Sequence, residues 1–250
     1  MYSEPMMALA RQDHTPGEIG SGDGLASVFR RQAEERFEPG AAVFWEGDAA
    51  AHLFQIIEGV LRVYKIIGDG RRVITGFLYP GDLVGLSQRR CYLYTAEAVT
   101  RVKLRRVTRS RFDEEVNGSP TLRPELFARL SDEMEAAQDQ MVLLARKSAE
   151  ERVASFLLTI ARRASAHMNN QRPLELPMTR LDMADYLGLT IETVSRIMTR
   201  LTSRGVIAAS GRHAIVVRQP LKLEILAGEG DDSAHDPIAV AYSRQAVWPN

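Results

Sequence analysis

Cysteine is almost missing from this chain: Cys91 stands alone in 250 residues. That count excludes an intrachain disulfide framework and any cage of cysteines around zinc or an iron–sulfur cluster within one chain. A reducing cytoplasm is the compartment such usage fits. Long apolar runs are missing as well. No stretch can span a bilayer, and the first 25 residues are polar, with Pro, Gly and Asp in place of a signal-peptide core. No membrane partner is expected. Catalytic signatures are equally scarce, with no phosphate-cradling P-loop, no metal-spaced His/Glu set and no Ser-His-Asp order. The carboxylates at Asp113, Glu114 and Glu115 read as a solvated run. An enzyme is therefore not expected, nor a metal or a cofactor.

Net charge is the last thing absent, since 32 Lys and Arg balance 32 Asp and Glu. The balance conceals a division. Residues 146–218 carry 12 basic against 6 acidic side chains, or +6, while residues 1–145 (18 against 21) and 219–250 (2 against 5) are each −3. A basic module between acidic neighbours fits a polyanionic partner.

Inside the basic part, residues 179–204, TRLDMADYLGLTIETVSRIMTRLTSR, read as two short helices joined by a tight turn. Met183, Leu187, Leu189, Val194 and Ile197 are spaced to share one small core. Ala184 falls where the helices approach most closely, and Gly188 where the chain turns. Thr179 with Asp182 three residues on forms a capping-box start, and Thr190 is placed to cap the second helix. With its apolar face inward, that helix turns Ile191, Glu192, Ser195, Arg196, Thr199 and Arg200 outward. In a major groove, Glu accepts from cytosine N4 and Arg donates bidentately to guanine, so Glu192 and Arg196 suit one G·C pair. Four residues apart, they suit an intrahelical ion pair too. The candidate DNA-contacting set is Thr179, Thr190, Glu192, Ser195, Arg196, Thr199, Arg200 and Arg212, on double-stranded DNA.

The other elements fall into an α+β order. Residues 1–24 read as a disordered lead, and a short helix at about residues 25–35 opens a domain that runs to residue 120. Short alternating runs with glycine turns between residues 37 and 104 predict an antiparallel β-roll, with the clearest hairpin at Gly68-Asp69-Gly70. Residues 121–146 predict a long helix. Along it Phe127, Leu130, Met134, Ala137, Met141 and Leu144 form a narrow a/d seam about 27 Å long. The seam suits either a core helix lying on its own roll or a partner helix across a dimer, and its two-position width points to a parallel homodimer. Asp132, Glu133, Glu135 and Asp139 face solvent in that reading. An amphipathic helix at residues 147–165, with Val153, Phe156, Leu157 and Ile160 inward, braces the helix pair, followed by a short strand at residues 174–176. VIAAS and AIVVR around Gly211 form a β-hairpin wing that ends the DNA-binding domain, residues 147–218. Arg212 and His213 at its tip suit phosphate contact as well as they suit plain exposed loop charge. Residues 219–250 read as a disordered acidic tail.

Roll, long helix and winged helix-turn-helix, in that order, resemble the CRP/FNR superfamily of bacterial transcription regulators, and LPMTRLDMADYLGLTIETVSRIMTRL resembles its FixK branch. The resemblance implies a cyclic-nucleotide-binding-like roll and a homodimeric transcription activator that meets RNA polymerase. It further implies base reading of TTGA-type half-sites by Glu192, Ser195 and Arg196, and control of microaerobic or nitrogen-fixation genes. It also exposes departures. Relatives that bind cyclic nucleotide hold the phosphate with a Gly-Glu pair and an Arg-Ser/Thr pair. Here GDLVGL keeps Gly81 and Asp82, but Tyr94 precedes Thr95 where the arginine belongs, so cyclic-nucleotide binding is the minor expectation. The cysteines of an oxygen-labile cluster are absent from the first 90 residues. Haem ligation through His52 and oxidation of Cys91 are the alternative sensing chemistries, each set against an ordinary packing role.

Overall fold

A computed structural model describes residues 24–86, 89–165 and 173–229. After a single-turn helix α1 (Ala26–Phe29), eight strands follow: β1 (Glu34–Phe37), β2 (Ala42–Phe44), β3 (His52–Glu58), β4 (Leu61–Ile66), β5 (Arg72–Leu78), β6 (Leu83–Val84), β7 (Thr95–Ala98) and β8 (Val102–Thr108). They pair antiparallel into two four-stranded sheets, β1-β8-β3-β6 and β2-β7-β4-β5. Alternation of side chains along each strand turns Ile56 and Leu104 from one sheet, and Leu61 and Ala96 from the other, into a shared core. The β4–β5 hairpin closes where the sequence signals it: the Asp69 carboxylate accepts from Arg71 N at 3.0 Å, and Gly70 takes φ +84°.

The opening helix is shorter than expected. Glu34 and Glu35, which read as helical, lie in β1 opposite Arg105 and Leu104 of β8. Ion pairs of 2.8 Å join Glu34 to Arg105 and Glu35 to Arg106, so cross-strand partners override a weak local helical preference. The expected disordered lead lies outside the described residues apart from Gly24.

Two helices leave the roll, α2 (Arg109–Gly118) and the 25-residue α3 (Leu122–Arg146). Only the start of α3 is buried, at Leu122. Its a/d stripe is open: Phe127, Met134 and Met141 are 74%, 61% and 63% exposed, and Leu130, Ala137 and Leu144 are exposed as well. A core helix lying with that stripe on its own roll is therefore excluded. Helix α4 (Ala149–Ser165) begins two residues later than expected, because Ser148 N donates to the Glu151 carboxylate at 2.6 Å and so stands before the first turn.

The remaining elements are β9 (Leu174–Glu175), α5 (Arg180–Leu187), α6 (Ile191–Ser203), β10 (Ile207–Ala209), β11 (Ala214–Val217) and α7 (Pro220–Leu226). Strands β10, β11 and β9 form a small antiparallel sheet, which is the expected wing plus the short strand before the helix pair. Helix α7 corrects the reading of everything beyond residue 218 as disordered tail. Pro220 starts the helix, and Leu223 and Ala227 are fully buried in the core that α4 supplies. Residues 230–250 lie outside the described residues.

That core is continuous with the roll, since Val60, Tyr64, Ile74 and Phe77 pack in the same cluster as Phe156, Leu157, Met183 and Leu201. Arg152 ties the frame from below. Its guanidinium donates to the carbonyls of Leu144 (2.9 Å), Lys147 (2.9 Å) and Leu187 (3.0 Å), joining the ends of α3 and α5 to α4. Beside it Gly188 turns the chain at φ +62°, and Leu189 N returns to the Ala184 carbonyl at 3.0 Å. A Cβ on Gly188 would meet only ordinary contacts, at 3.6 Å from Arg152 and Leu144, so the penalty there is conformational. Gly188→Ala should cost roughly 1 kcal/mol of stability, the price of a left-handed alanine, as a shift of the urea midpoint with an unchanged slope. No shift would mean that the turn relaxes out of the left-handed region.

Candidate nucleic-acid interface

Both helices of the pair carry the caps that their sequence marks. The Thr179 hydroxyl accepts from Asp182 N at 3.1 Å while the Asp182 carboxylate accepts from Thr179 N at 3.0 Å, a reciprocal capping box. Thr190 accepts from Thr193 N at 3.2 Å at the start of α6. Val194, Ile197, Met198 and Leu201 bury one face of α6. Each such side chain contributes about 1.5–3 kcal/mol relative to exposure, so the inner face rather than any surface charge pair holds this helix in place.

The opposite face is open along its length. Ile191, Glu192, Ser195, Arg196, Thr199 and Arg200 are all exposed. No ion pair joins Glu192 to Arg196 among the described residues; Arg196 Nη2 reaches the Thr193 hydroxyl at 3.4 Å. The Glu192 carboxyl is held below its ordinary range by its own backbone N–H, then by the Thr190 hydroxyl, with a smaller contribution from the Arg196 charge. It is thus a ready acceptor at neutral pH, at a helix N-terminus that favours anions.

Arg200 is less free than its neighbours. Its Nη1 lies 3.4 Å from the Glu150 carboxylate on α4, which Arg204 shares at 3.0 Å. Glu150 and Arg204 went unnoticed in the sequence because fifty residues separate the helices that bring them together. The wing folds beside α6, with Gly211 at φ +83° and Arg212 and His213 exposed at its tip. The His213 carbonyl accepts from Leu176 N at 2.7 Å, which fixes the tip against the segment preceding α5. Between wing and α6 lies a cleft of about 690 Å³ whose polar lining includes Thr179, Arg180, Ser195, Thr199, Arg212 and His213. Four of the expected residues therefore meet around one concavity, and Arg196 and Arg200 line a shallower hollow along the same helix. Thr190 and Glu192 line neither. Arg180, half-buried against Met183 Sδ at 3.2 Å, was missed despite standing next to the capping threonine.

Comparison with known proteins matches this geometry to a family. A family model described as a Crp-like helix-turn-helix domain covers residues 151–226, and one described as a cyclic nucleotide-binding domain covers residues 34–118. The nitrogen fixation regulation protein FixK of Azorhizobium caulinodans is 37% identical over 87% of this chain and 85% of its own. FixK of Bradyrhizobium diazoefficiens is 40% identical over 76% and 80%. The solved structure of FixK2 from Bradyrhizobium japonicum superposes with a TM-score of 0.73 at 36% identity, over 78% of this chain and 96% of that one. The chain belongs to the CRP/FNR family. Its relatives are transcription regulators and not enzymes.

The family's roll raises the question of a cyclic nucleotide, and the residues present do not fit its phosphate. Tyr94 stands in the arginine's place, and its hydroxyl accepts from Gly85 N at 3.2 Å, so both the cation and one backbone donor are lost to a ligand. Burial pushes that hydroxyl's pKa up, which keeps it neutral. Asp82 accepts from Tyr79 N at 2.8 Å and from Arg163 at 2.6 and 2.7 Å, and Thr95 accepts from Glu46 N at 3.0 Å. Phe44 stacks on Tyr92 at 3.6 Å between ring centroids, filling the interior beside them. His52 meets the Tyr92 hydroxyl only through its backbone, at 3.3 and 2.8 Å, and Cys91 is half-buried in a bridge to Ala49. Among the described residues no group of three or more His, Cys, Asp or Glu could hold a metal ion.

In this CRP/FNR chain Glu150 of α4 is shared between Arg200 and Arg204 of the recognition-helix end. Glu150→Gln should change stability by about 1 kcal/mol or less, because both arginines are half-exposed and Glu150 is only partly buried. It should raise affinity for duplex DNA of any sequence and steepen its salt dependence, as read by anisotropy titrations from low to moderate salt. Unchanged slopes would show that Arg200 and Arg204 stand clear of phosphate.

Proposed function

We propose that the chain is a DNA-binding transcription activator of the FixK branch. As a homodimer it binds TTGA-type palindromic sites and controls genes of microaerobic or nitrogen-fixing metabolism. The observation that carries the reading is the open α6 face, on which Glu192, Ser195 and Arg196 lie within about one turn of each other and free of partners in the core. Arg196 donates to guanine and Glu192 accepts from the paired cytosine, while Ser195 and Thr199 fill the groove floor. Thr179, Thr190, Arg200 and the wing's Arg212 lie at its margins, where phosphates run. RNA polymerase is the partner that activation requires, and the cytoplasm is where both are found. The names of the relatives, nitrogen fixation regulation proteins, support the class of target genes.

The open α3 stripe supports a dimer. Its exposed Phe127, Met134 and Met141 form a seam that a second copy covers in parallel, with the two recognition helices then meeting half-sites about 10–10.5 bp apart. The roll's lack of a phosphate cradle supports binding without cyclic nucleotide.

Two measurements test this. Arg196→Ala should cost about 1–3 kcal/mol on the consensus site and relax preference at one guanine, whereas Arg212→Ala should weaken all sequences alike and lower the salt slope by about one unit. Equal loss by Arg196→Ala on every variant site, with the guanine preference intact, would remove Arg196 from base reading. Replacing Met134 and Met141 together by Glu places like charges across the seam, and sedimentation should then report a monomer. An unchanged dimer would move the interface elsewhere.

A further inference from the structure

The helix-turn-helix touches its own roll across a face of opposite charges. Arg62 on β4 and Arg72 on β5 both reach Asp182 of α5, at 3.1 and 2.7 Å, and Arg72 also holds Asp185 at 2.8 Å. Asp182 is only 1% exposed, and its second oxygen is committed to the amide and hydroxyl of Thr179. Arg62 is fixed from behind by Glu97, which accepts from the Tyr64 hydroxyl at 2.9 Å. Beside the charges, the Phe77 ring of β5 packs against Phe156 and Tyr186 at 6.1 and 5.5 Å.

A carboxylate this buried costs several kcal/mol of lost hydration, which the two guanidinium groups offset only while α5 stays docked. Guanidinium forks set direction as well as distance. The docked side of α5 carries Asp182, Asp185 and Tyr186, while the outward face of α6 stays open, so docking and DNA contact coexist. In a dimer held along α3, the spacing between the two recognition helices then depends on where each α5 sits on its roll.

We propose that Arg62 and Arg72 are positioning residues for DNA recognition: through Asp182 and Asp185 they fix each helix-turn-helix on its roll, setting the distance between recognition helices without a bound small molecule. The inference rests on the reading of a dimer on a palindrome, and it places the control of half-site spacing in the roll, away from the outward face of α6.

The test compares the full palindrome, a duplex with one half-site, and palindromes with added base pairs at the centre. Wild-type protein should prefer the full site at native spacing. Arg72→Met should lower full-site affinity roughly tenfold, leave half-site affinity unchanged and flatten the spacing profile, and Arg72→Lys should restore part of the preference. A ratio of full-site to half-site affinity equal to wild type in Arg72→Met overturns the proposal. So does a gain in full-site affinity, or an equal loss on both duplexes. The Arg62→Met/Arg72→Met pair should flatten the profile further; should it not fold, the single variants decide. If wild-type protein fails to prefer the full site, the palindrome reading fails, and hydrogen exchange judges the contact by itself. Faster exchange of residues 180–188 in Arg72→Met upholds it, and unchanged exchange overturns it.

Discussion

One carboxylate out of reach of water organises this molecule. Asp182 closes the first turn of α5, and the same side chain receives two arginines from the roll. Desolvation couples the partners: a charge buried to this degree depends on its cap and on its guanidinium groups together, and loss of one loosens the seat of α5 on the roll. The cap therefore does more than start a helix. It makes the first helix of the reading head and its seat on the roll interdependent, with the apolar cluster of Phe77, Phe156 and Tyr186 supplying the contact area around them.

The charge division across the chain acquires its meaning from that seat. Arginines of the DNA-binding part that point toward the roll or α4 are neutralised, Arg163 by Asp82 and Arg204 by Glu150, and Arg200, at 3.4 Å from the same Glu150, carries such a pair onto the open face of α6. Among the described residues no ion pair holds Arg196 there or Arg212 across the cleft on the wing. A field built from few cations close together steers a polyanion without gluing the protein to every sequence it meets.

The roll, by contrast, commits the polar groups at its cradle position to its own frame and to α4. Gly81 and Asp82 keep the turn of a phosphate cradle, but the Asp82 carboxylate braces α4 through Arg163, whose guanidinium lies 4.7 Å from the Tyr79 ring centroid. Tyr94 fills the place of a cation with a neutral hydroxyl. Of the groups at that position, Asp82 braces α4, while Tyr94 and Thr95 bond the roll's own backbone.

Local pattern settled much of this. Periodicity, caps and the glycine turn specified α5 and α6 from Thr179 to Gly188 and beyond, and the exposed face of α6 was legible because it is whatever the apolar stripe leaves over. Glycine-punctuated alternation specified the roll, and the substitution of Tyr94 for an arginine was visible without coordinates. Elements whose partners are distant were misread: Glu34 and Glu35 joined a strand because Arg105 and Arg106 of β8 pair with them, and Leu223 ordered a helix in the supposed tail because α4 covers it. The a/d stripe of α3 admitted two readings, and only its exposure in the folded chain excluded the roll as its cover. Arg62, Arg72 and Glu150 carried no signal at all. A sequence encodes spacing along an element, which is enough for caps, faces and turns, but an ion pair between residues a hundred positions apart exists only once packing has brought two elements within reach.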